Sequence, residues 1–125
     1  MDRNSMVTSG HNLIEALSDS GLGISSVMWM HASDTDTWRL WIALTNKNAD
    51  KRAFYSRVVD CIDGRPSRYP ELSAADVELV EPDHVVFVGL RRIFKIDGGN
   101  TDVQLTNIMV DGYFVSDAII LRLQS

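Results

Sequence analysis

Cysteine is nearly absent. Cys61 is the single one in 125 residues, so the chain can close no internal disulfide. That suits a reducing compartment, and a cytoplasmic protein is expected. Long apolar runs are missing too: nothing approaches the roughly 18 uninterrupted apolar residues of a membrane span, and "MDRNSMVTSG" is not built like a secretion signal. Neither membrane insertion nor export is expected. With three prolines, no repeat and no Gly/Ser or Pro-rich tract, there is no linker at which to divide the chain. One domain over residues 9–125 is therefore expected, behind a flexible leader of residues 1–8.

The motifs of common chemistries are lacking as well. Neither G-x-x-x-x-G-K-[ST] nor G-x-G-x-x-G occurs, and the glycines of "DGGN" at 97–100 lead toward a strand rather than a helix. His11, His31 and His84 are scattered, with no i, i+4 pair of the kind that holds zinc on a helix. Asp34 and Asp36 flank Thr35, but a calcium loop of the EF-hand type needs further acids where Arg39 and Trp41 stand. No metal and no cofactor is expected. Excess positive charge is also absent: the net charge is −5, with both ends acidic and the bases gathered between residues 47 and 95. The bulk field repels a phosphate backbone, so nucleic acid would need a local patch.

What is present is a globular composition, with 45% hydrophobic and 23% charged residues. Ser9 can cap a helix whose Leu13, Ile14 and Leu17 share a face and which Gly21 stops. Residues 24–45 are two β-rich runs around "SDTD", a hairpin. From Asn48 onward, Ala49, Ala53, Phe54, Val58, Cys61 and Ile62 form one helical stripe, which places Cys61 as an inert core thiol. "DVELV" reads as a strand. Residues 84–96 are ambiguous, and capping by Asp83, the spacing of Val86, Leu90, Ile93 and Phe94, and late bases favour a helix. Asp111-Gly112 between apolar runs marks a two-residue hairpin turn. The fold class that follows is α+β, a two-layer arrangement of a mostly antiparallel sheet of about five strands with two or three helices packed on one face.

All three tryptophans flank the first turn. A loop over 33–37 opposes Ala32 to Trp38, Met30 to Leu40 and Trp29 to Trp41. That register segregates an apolar face (Met28, Met30, Trp38, Leu40, Ile42) from a mixed one carrying Trp29, His31, Arg39 and Trp41. Trp29 and Trp41 can be core residues beneath the C-terminal strands or a loop, since tryptophan is buried on average, or, left exposed beside a guanidinium, what binding hot spots are made of. The expected function is a small non-catalytic accessory protein that binds another protein through those four residues, with a homodimer as one form. The rival is a metal-dependent phosphodiesterase-like enzyme built on Asp76, Glu78 and Lys95, or a nucleic-acid-binding module. A phosphate-binding patch of Arg65, Arg68, Arg91, Arg92 and Lys95 would serve the latter.

Overall fold

The computed structural model describes residues 2–94 and 102–124. They form a five-stranded sheet and three helices in the order α1 (Arg3–Asp19), β1 (Ile24–Ala32), β2 (Thr37–Leu44), α2 (Lys51–Gly64), β3 (Val77–Leu79), α3 (Val85–Arg91), β4 (Val103–Val110) and β5 (Tyr113–Leu123). Across the sheet the strands run β3-β2-β1-β5-β4. Every pair is antiparallel except β2 with β3, which the chain joins through α2 as a crossover. This is the α+β fold expected, with α1 and α2 on one face; α3 covers part of the other.

Each helix is set by its cap. The Asp2 carboxylate accepts from the main-chain N–H groups of Asn4 and Ser5, so α1 begins at Arg3 and Met6 is already core. Residues 3–8 are thus helix and not a loose leader. Ser9 is no cap: it is buried in mid-helix, its hydroxyl donating to the carbonyl of Pro70 at 2.5 Å. Gly10 lets α1 lie against the sheet, because a methyl there would overlap Cδ1 of Leu121 and sit 3.4 Å from Nε1 of Trp29. Asp50, two residues beyond Asn48, caps α2 through the N–H groups of Arg52 and Ala53, and Phe54, Val58 and Ile62 are its buried stripe. Cys61 is half-buried against that core, and burial pushes its thiol up. α3 is a helix, as expected, though only seven residues long. His84 caps it through Nδ1, while Asp83 is drawn to Lys47 at 2.7 Å.

The second hairpin turns at Asp111-Gly112 as expected, with φ of 47° and 86°, the left-handed pair a type I′ turn requires. The first hairpin differs from expectation by one residue. Its turn spans 33–36, and Ala32 opposes Thr37, Met30 opposes Arg39, Trp29 opposes Leu40 and Met28 opposes Trp41. A slip of one exchanges faces for every side chain. Val27, Trp29, Leu40 and Ile42 therefore face α1 and α2, and Met28, Met30, Trp41 and Ala43 face α3. A bulge at Ser25 lets Ile24 and Val27, three apart, both reach the first core.

Candidate functional site

Trp29 is sealed. Its exposure is 0%, it packs beneath α1, and its Nε1 donates to the carbonyl of Met6 at 2.9 Å. Trp41 lies on the opposite face, edge-on to His84 at 5.0 Å, Phe87 at 6.1 Å and Tyr113 at 6.3 Å. The expected partner-binding face of Trp29, His31, Arg39 and Trp41 is thus not assembled. The one-residue difference in register splits it, and α1 covers its first indole.

Three of the four still meet. His31, Arg39 and Trp41 line an open cleft of about 540 Å³ between the turn at 33–36 and the start of β5. Glu78 joins them, because β3 pairs in parallel with β2 and sets Glu78 beside Trp41. Tyr113 and Phe114 form the far wall. They are 38% and 53% exposed, and Met109, opposite Phe114 across the hairpin, is 65% exposed. The sequence carried a signal for this wall, since two aromatics directly after a type I′ turn stand at a hairpin tip.

The cleft is fixed by polar ties. His31 places Nε2 2.7 Å from Oδ1 of Asp36 and Nδ1 3.2 Å from the Ser116 hydroxyl, and its ring leans on Trp38 at 5.1 Å. A carboxylate only accepts, so Nε2 carries a hydrogen toward Asp36. The Ser116 hydroxyl lies equally far, 3.2 Å, from the main-chain oxygen of His31. It donates to that oxygen, and the arrangement clamps the turn to β5. Arg39 donates through Nη1 to the carbonyl of Ala75 at 3.0 Å, which holds β2 to the turn before β3. Asp34 and Glu78 are the acids of the lining.

The other candidate residues are dispersed. Asp76 closes a 3-10 turn, accepting from the N–H and hydroxyl of Ser73 at 3.0 and 3.2 Å. It does not share a strand face with Glu78, and Lys95 lies outside the described residues. The proposed phosphate patch is divided by the sheet. Arg68 sits with α1, donating to Asn12 at 3.3 Å and lying 3.7 Å from Glu15, and Arg65 ends α2. Arg91 is spent inside the α3 layer on the carbonyl of Pro82 at 2.7 Å and the Ser26 hydroxyl at 3.0 Å, and burial lowers its pKa. Arg92 is 3.6 Å from Asp111. Among the described residues no three His, Cys, Asp or Glu side chains converge as a metal site would need, and no helix is long and apolar enough to cross a membrane.

Comparison with known proteins leaves the geometry to speak alone: no family model, no curated protein and no solved structure matches this chain.

Proposed function

We propose that this chain is a non-catalytic accessory protein that acts by binding another protein, and that the cleft walled by Tyr113 and Phe114 is where it binds. The observation that carries the reading is the pair of rings, 38% and 53% exposed, on the rim of a 540 Å³ cleft whose turn is clamped in place. Exposed aromatics on a rigid frame gain hydrophobic free energy when covered and lose little conformational entropy in doing so. Aromatic residues also dominate the energetics of protein interfaces.

Charge suggests what kind of segment enters. Asp34 and Glu78 line the cleft and Asp36 flanks it, whereas the guanidinium of Arg39 is held by Ala75. The whole chain carries −5, so long-range attraction and the local lining both favour a basic segment with an apolar side chain for the aromatic wall.

A titration with Lys-rich and Glu-rich peptides that each contain one leucine, followed by amide NMR shifts, tests both statements. The Lys-rich peptide should shift residues 33–36 and 113–116 and weaken with salt, and F114A should abolish the shifts while leaving the spectrum otherwise folded. If neither peptide moves those residues, the cleft is not a protein-binding site; shifts with the acidic peptide alone would overturn the charge assignment.

A further inference from the structure

The two edges of the sheet are unlike. β3 is three residues long, a length at which an edge offers little to pair with. β4 runs for eight residues, "VQLTNIMV", without one charged side chain or proline, and among the described residues nothing pairs with its outer side. Long, uncharged edges are what folded proteins ordinarily avoid, because their free N–H and C=O groups recruit another strand.

One residue of β4 departs from regular geometry, and it sets the register in which β4 can pair. Asn107 has φ of 51°. In a strictly alternating strand, residues 105 and 108 point to opposite faces. Here Val103, Leu105, Ile108 and Val110 all pack toward the α3 core, and their neighbours on β5 (Ile120, Ala118, Val115) do the same. The left-handed residue resets the alternation halfway along. We infer that β4 joins a second copy of this chain, antiparallel, about a two-fold axis between Thr106 and Asn107. That register sets Val103 against Val110, Leu105 against Ile108, Gln104 against Met109 and Thr106 against Asn107, each in both directions. It uses all eight residues, and every inward apolar side chain meets another. With the reset at Asn107 this register keeps inward side chains against inward ones along the whole strand, in both directions.

The surroundings agree. An open apolar groove of about 440 Å³ runs beside β4, lined by Ile93, Phe94, Leu105, Ile108 and Met109. Ile93 is 71% exposed, and a two-fold at β4 brings two such grooves against one joint. Asp102 and Asp111, which the register places opposite each other, are each already paired, with Arg3 and Arg92. The ends therefore meet as neutral pairs. The joint is independent of what the cleft binds.

The test is sedimentation equilibrium of the full chain combined with amide hydrogen exchange over a concentration series. The wild type should sediment at twice the chain mass, with β4 amides that gain protection as concentration rises. T106K places two ammonium groups beside the axis at an exposed position, so it should weaken the dimer roughly tenfold or more with an unchanged far-UV spectrum. A monomer at every concentration would overturn the inference, as would a dimer whose β4 amides exchange freely or one that T106K leaves intact.

Discussion

The two faces of this sheet are drawn from alternate residues of the same strands, yet they are built for different ends. Under α1 and α2, Trp29, Leu40, Ile42, Ile119 and Leu121 are all at most 1% exposed. Seventeen and fourteen residues of helix lie over them. The opposite face has a helix of seven residues, whose Phe87 packs edge-on to Trp41, and beyond its reach the start of β5 opens into the cleft at Tyr113 and Phe114. One hairpin thus gives a buried tryptophan to each core, Trp29 at 0% and Trp41 at 8% exposure, and of these two Trp41 also borders the cleft. What separates the two faces is the length of helix above each, not the residue type.

The contrast breaks most plainly at Trp29. Trp29→Ala removes a fully buried indole and the donor that reaches Met6 across the α1 interface, so the loss should be about 3–5 kcal/mol in denaturant unfolding. Phe114→Ala, on the cleft rim, should change stability by no more than about 0.5 kcal/mol. Equal costs would show that the hairpin tip is core and that the two faces do not differ.

Gly10→Ala gives a smaller effect whose sign is informative. Helix propensity alone favours alanine over a mid-helix glycine by about 1 kcal/mol. The added methyl overlaps Leu121 and crowds Trp29, however, and overpacking of this kind costs about 1–3 kcal/mol. A net loss in thermal unfolding is expected. A gain would mean that α1 rides higher on the sheet and that the first face is less tightly closed.

The elements that make this contrast were largely visible in the residues, the assignment of side chains to the two faces was not, and the reasons are physical. Ala49 precedes α2 and Ala53 is exposed, but the rest of the expected stripe (Phe54, Val58, Cys61 and Ile62) and the Asp111-Gly112 turn are local patterns that were legible. The register of the first hairpin was not, because "SDTD" contains no glycine to pin the turn and β1 is buried on both faces over its first seven residues. With no polar side there is no alternation to read, and a turn of four residues or of five satisfies the sequence equally. Asp2 as the true cap of α1 was hidden behind Ser9, Gly10 and two β-branched residues that weaken the helical signal. The cleft could not be assembled at all, since it joins residues 30–41, Glu78 and 112–116 through strand order, which no local spacing encodes.

The smallest expected effect probes how α3 is held on the second face. Lys47 in the loop after β2 donates to Asp83 at the entry to α3, and that bond lowers the Asp83 carboxyl while raising the Lys47 ammonium. A depressed carboxyl contributes stability above its ordinary value near pH 3.9 and loses it as pH falls through the lower folded value. A raised ammonium contributes below its ordinary value near pH 10.4 and loses it as pH rises through the higher folded value. The pair should therefore act across the whole neutral range and fade at both extremes. Both groups are exposed, so solvent and salt screen the bond. Melting of the wild type and of Asp83→Asn at pH 7 should differ slightly at low salt and converge at about 1 M salt, where the Debye length is near 3 Å. A difference that survives high salt would mean that this pair is a structural fastening of α3, and that the second face is more firmly closed than the short helix implies.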